Sequence, residues 1–120
     1  MSELLLIDDD QELCELLSSW LSQEGFHVRA CHDGRSARRA LAETSPAAVV
    51  LDVMLPDGSG LELLRRIRQR REVPALALSG FGMDEDLERS RNAGFSDHLT
   101  KPVSIDQLQA AIAQLDEQLG

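Results

Sequence analysis

The 120-residue sequence predicts an α/β fold: a doubly wound, five-stranded parallel sheet in the order 2-1-3-4-5 with five helices, in one domain over residues 1–120. Short apolar runs alternate with segments of helical spacing five times, the pattern of strand–helix–strand crossovers. No repeat, low-complexity tract or Pro/Gly/Ser-rich linker divides the chain. A composition of 42% hydrophobic and 28% charged residues suits one packed core at this length.

The first strand is LLLI, Leu4–Ile7. Leu13, Leu16, Leu17, Trp20 and Leu21 then recur at helical spacing. FHVRA, Phe26–Ala30, is the second strand and AAVVL, Ala47–Leu51, the third. Leu61, Leu64 and Ile67 form the next helical face, with Ser59 and Glu62 as a capping box. ALAL, Ala75–Leu78, is the fourth strand and FSDHL, Phe95–Leu99, the fifth. The helix between them, near DEDLERSRNAG (Asp84–Gly94), has a poor apolar face, chiefly Leu87 and Ala93, so it opens or shifts at low cost. Ile105, Leu108, Ile112 and Leu115 mark a last helix, with Ser104 and Gln107 as a capping box and Val103–Leu108 as a staple.

Strand composition gives the order. LLLI, AVVL and ALAL are apolar throughout, as strands covered on both faces must be. FHVRA and FSDHL carry His27, Arg29, Ser96, Asp97 and His98, as edge strands do. With right-handed crossovers the simple solution is 2-1-3-4-5, and its ligand crevice lies at the carboxyl ends of strands one and three.

A net charge of −9 argues against nucleic acid or an anionic membrane as a direct partner. LRRIRQRR, Leu64–Arg71, is a basic cluster on one helix, read first as a solvated face and only secondarily as a dock for an acidic partner. No apolar run approaches the ~20 residues of a membrane helix, and MSELLLIDDD lacks the features of a signal peptide, so the chain is expected in the cytoplasm. Cys14 and Cys31 lack metal-site spacing and read as reduced, packed thiols. Eleven of the twelve basic residues are Arg; Lys101 is the exception.

LLLIDDD runs a buried strand into Asp8, Asp9 and Asp10, whose carboxylates repel one another more strongly as water is excluded. At the same end of the sheet come Asp52 after strand three, Ser79 after strand four, and Lys101 after strand five. Converging carboxylates suit a hard divalent cation, most naturally Mg²⁺, and a lysine ammonium and serine hydroxyl suit a phosphoryl group beside it. Each residue has an ordinary reading too. Asp9 with Glu12 fits a D-x-x-E cap, or Asp10 is itself an N-cap. Asp52 and Ser79 fit turn chemistry, and Lys101 a surface lysine. Capping accounts for one carboxylate, not for the joint arrangement past four strand ends.

At LLLIDDD, VVLDVMLPDGSGLELL, ALALSG, NAGFSDHLTKP and the final amphipathic helix the chain resembles the receiver domain of two-component response regulators, over essentially its whole length. The resemblance implies the flavodoxin-like sheet and a phosphoacceptor at Asp52, loaded from a histidine kinase or phosphotransfer protein. It implies Mg²⁺ held by Asp9, Asp52 and the backbone carbonyl of Met54, with Asp8 acting through water. Ser79 would bond the aspartyl phosphate and Lys101 would pair with its oxygens. The fourth helix, fifth strand and last helix would form the face that switches. Met54 and Phe81, two residues beyond Asp52 and Ser79, would hinder attacking water and lengthen the life of the phosphoryl state. His98 departs from the family, which carries Tyr or Phe there as a rotamer switch; a solvent-facing edge histidine is the plain alternative.

Other readings weigh less. A haloacid-dehalogenase-type phosphatase needs a second Asp where Met54 stands, and a flavodoxin's phosphate loop would meet the Asp8–Asp10 charges. A pseudo-receiver, an interaction module that never takes up phosphate, conflicts with the intact set Asp9, Asp52, Ser79 and Lys101. Apart from self-phosphorylation from a donor and slow self-dephosphorylation, no enzyme activity is expected, and the output partner or fused domain is not encoded in these residues. The run SGFG…AGFSDHLTKPV leans toward receivers of hybrid kinases rather than DNA-binding regulators.

Overall fold

The computed structural model describes residues 2–52, 55, 60, 62–63, 65–66, 73–79, 97–100 and 103–119. In chain order it comprises β1 (Ser2–Ile7), α1 (Gln11–Gln23), β2 (Phe26–Cys31), α2 (Gly34–Glu43), β3 (Ala48–Asp52), β4 (Ala75–Ser79), β5 (Asp97–Thr100) and a C-terminal helix (Ile105–Leu119). Gly60, Glu62, Leu63, Arg65 and Arg66, between β3 and β4, are also helical. The expected helix at Asp84–Gly94 lies outside the described residues.

All strand pairs are parallel, in the order β2-β1-β3-β4-β5. Period-two alternation splits the apolar strands between two cores. Leu4, Leu6, Ala48, Val50, Leu76, Leu78 and Leu99 face α1 and the C-terminal helix, joined by Cys14, Leu17, Leu21, Leu108 and Ala111. Leu5, Ile7, Val49, Leu51, Ala75 and Ala77 face the other way, against Ala37 and Ala40 of α2 and Leu63. β3 is buried at every position, whereas His27 and Ala30 of the edge strand β2 are exposed. This is the distinction between central and edge strands that composition predicts.

Local chemistry sets the helix ends. Asp10, not Asp9, caps α1, accepting the Leu13 N–H at 3.1 Å. Asp33 caps α2 by accepting the Ser36 N–H at 2.7 Å, and the Ser104 hydroxyl accepts the Gln107 N–H at 3.2 Å. α1 ends at Gln23 with Glu24 as its C-cap, and Gly25 follows with a φ of 97°, a left-handed conformation that disfavours a side chain. One expected core position is corrected. Leu16 is 56% exposed, because the inward stripe runs through Cys14, Leu17 and Leu21, with Leu13 and Trp20 on its flanks.

Candidate functional site

β1 and β3 are neighbours although β2 lies between them in sequence, so the winding reverses at their carboxyl ends. Their register pairs Ile7 with Leu51. One residue further on, Asp8 stands beside Asp52, on strands about 4.8 Å apart. The site is therefore a product of register: the hydrophobic alternation that fixes the pairing also fixes which acids meet.

Asp8, Asp9 and Asp52 each offer an oxygen, and these atoms lie within 4.8 Å of one another. Asp8 and Asp52 are buried and Asp9 is exposed. Hard oxygen donors with three formal negative charges at such spacing fit a divalent cation such as Mg²⁺, which takes carboxylates and completes its shell with water or phosphate. The Asp8 carboxylate is itself held, Oδ1 accepting the Asp10 N–H at 2.9 Å. Asp10, the third carboxylate of the run, caps α1 and is not in the cluster.

Asp52 and Ser79 are the last residues of β3 and β4, not the first beyond them. Asp52 pairs with Leu78, so the backbone of Ser79 lies one residue past the level of Asp52 on the adjacent strand. His98 is within β5, in register with Ala77, and Thr100, the residue before Lys101, pairs with Ser79. Met54, Phe81 and Lys101, and the side chains of Ser79 and His98, lie outside what is described.

Two residues that the sequence did not assign to the site touch it. The Asp8 carbonyl is approached by His32 Nδ1 at 3.1 Å and accepts from the Cys14 thiol at 3.4 Å. Position alone could have flagged His32, the residue directly after β2 on the strand beside β1.

Fold and site together define an α/β domain with a cluster of three carboxylates, able to hold a cation, at the topological switch point. A family model for the response regulator receiver domain matches residues 4–113, and the chain belongs to that family. It is 38% identical over 112 residues to the transcriptional regulatory protein CpxR of Klebsiella pneumoniae, covering 93% of this chain and 48% of CpxR. Among solved structures, the receiver domain of the Francisella response regulator 1452 superposes with a TM-score of 0.88 at 26% identity, over 100% of both chains. The BeF3-activated receiver domain of Klebsiella pneumoniae RstA gives a TM-score of 0.84 at 27% identity, over 93% of this chain and 96% of that one.

The chain spans about half the length of the curated relatives it matches. Those relatives are named as transcriptional regulatory proteins. Receiver domains are the signalling domains of two-component systems and bind Mg²⁺ at an acidic Asp cluster of the kind formed here by Asp8, Asp9 and Asp52. No helix among the described residues is long and apolar enough to cross a membrane.

Proposed function

We propose that residues 1–120 act as one receiver module in the cytoplasm, in which Asp52 accepts a phosphoryl group from a phosphohistidine on a histidine kinase or phosphotransfer protein. The convergence of Asp8, Asp9 and Asp52 within 4.8 Å is the observation that supports this reading most directly. A carboxylate oxygen of Asp52 attacks phosphorus, the N–P bond of the donor breaks, and imidazole leaves as the acyl phosphate forms. Asp9, Asp52 and the Met54 carbonyl would hold Mg²⁺, with Asp8 acting on it through water. Bound Mg²⁺ supplies positive charge against the phosphoryl oxygens. Lys101 neutralises the remaining charge, and the Ser79 hydroxyl donates to the aspartyl phosphate. Movement of Ser79 is read out by β5 and its flanking helices, with His98 in the place of the family's aromatic switch. The output is carried by a partner or a fused domain.

Beryllofluoride, which mimics a phosphoryl group on a carboxylate, tests the assignment. With Mg²⁺ it is expected to shift the backbone amide signals of Asp52 and Ser79 in wild type and to leave Asp52→Asn unchanged. No shift in the wild type, with Mg²⁺ bound, would favour the pseudo-receiver reading. Equal shifts in Asp52→Asn would move the acceptor elsewhere.

A further inference from the structure

We propose that His32 is a positioning residue for the acidic cluster, acting through the peptide bond between Asp8 and Asp9; the inference rests on the metal-binding reading of that cluster. β2 ends at Cys31, whose carbonyl accepts the Asp8 N–H at 3.0 Å. Beyond that point the chain turns toward Asp33, the cap of α2, and side chains meet the Asp8 carbonyl. His32 Nδ1 lies 3.1 Å away, from the β2 side. The buried Cys14 thiol donates at 3.4 Å from α1. A carbonyl has two acceptor lone pairs and no proton, so the close His32 Nδ1 carries the hydrogen. The thiol is a weak donor, which leaves the imidazole as the stronger of these two side-chain anchors.

The consequence follows from peptide planarity. Holding the Asp8 carbonyl fixes the plane it shares with the Asp9 nitrogen, and with it the directions in which Asp8 and Asp9 leave the backbone. The Asp10 N–H on Asp8 Oδ1 fixes the same segment from the other side, at 2.9 Å. Three carboxylates held this close repel, and only Asp9 is free of burial to swing outward. The His32 ring resists that swing by clamping the backbone one bond upstream. It touches neither metal nor phosphoryl group, and its work is to keep the cluster assembled before the cation arrives.

Two measurements test this. Ring ¹⁵N spectra of the wild type in alkaline solution without metal are expected to show the Nδ1–H tautomer of His32; the Nε2–H tautomer would overturn the proposal whether or not the cluster binds metal. Calorimetric titration with Mg²⁺ alone then compares His32→Leu with His32→Asn, whose amide nitrogen donates from nearly the same place as Nδ1. His32→Leu is expected to bind Mg²⁺ roughly threefold to tenfold more weakly, less than the loss of a direct partner of a ligating group. His32→Asn is expected to recover most of that loss at similar urea stability in EDTA. Equal affinities for wild type and His32→Leu, or an equal loss in both variants, would overturn the positioning role. If wild type binds no Mg²⁺ while showing the Nδ1–H tautomer, the metal-binding reading fails and the inference falls with it.

Discussion

Asp9 differs from its two neighbours in the cluster because it is exposed, and that makes it the informative residue to change. Without a cation, Asp9→Asn removes a repelling charge from beside Asp8 and Asp52. It is expected to raise urea stability in EDTA by about 1 kcal/mol, the scale of two charges at this spacing with water between them. With Mg²⁺ the sign reverses. Affinity depends on ligand charge, so the variant is expected to bind Mg²⁺ more weakly by on the order of tenfold or more. A variant equally stable in EDTA and equally strong in Mg²⁺ would mean that Asp9 is an ordinary surface acid. The clustered residues Asp8, Asp9 and Asp52 were legible as acids at the ends of apolar strands. The Asp8–Asp52 adjacency needed only the register that the strands themselves dictate. His32 and Cys14 were not legible, since each acts through a backbone carbonyl and no side-chain pattern announces such a contact.

Among the elements, β1 contributes most to placing the site, lying between β2 and β3 and carrying Asp8 at its end. Leu6 is fully buried on β1 two residues before Asp8, so Leu6→Ala is expected to cost about 2–5 kcal/mol in urea denaturation. α2 gives a prediction in pH. The Ser36 hydroxyl and then the Ser36 N–H, bonded to the Asp33 carboxylate, hold its pKa below the ordinary carboxylate value. A depressed folded pKa stabilises above the unfolded value, and that contribution is lost as pH falls through the folded one. Protection of the Ser36 amide against hydrogen exchange is therefore expected to drop in acid. In Asp33→Asn, which keeps an acceptor but no charge, the acid-dependent part of that drop should vanish; an identical profile in both chains would refute the charge argument. Sequence periodicity found α1 but put Leu16 in its inward set. Cys14 was read as a packed thiol, as its burial bears out, but it was not placed on the inward stripe of α1 where Leu16 was.

At the scale of the whole molecule, composition read along five strands was enough to order the sheet, because burial on both faces admits only apolar side chains and edge strands tolerate His27 and Arg29. What it could not fix were interactions between distant segments that depend on a turn's path, such as the Arg29 guanidinium 2.8 Å from Glu43. The domain should respond to its cation as a unit. A ligand that binds only the folded chain stabilises it by mass action, about 2.7 kcal/mol at a hundredfold excess over Kd, so the thermal midpoint is expected to climb with Mg²⁺ in wild type and stay flat in Asp52→Asn. The most direct measurement is intact mass after incubation with acetyl phosphate, with and without Mg²⁺, for wild type and Asp52→Asn. One phosphoryl adduct is expected, dependent on Mg²⁺ and absent from the variant. A wild type that binds Mg²⁺ yet takes no phosphoryl group from acetyl phosphate or from phosphohistidine donors would contradict it, as would a variant that is labelled equally well.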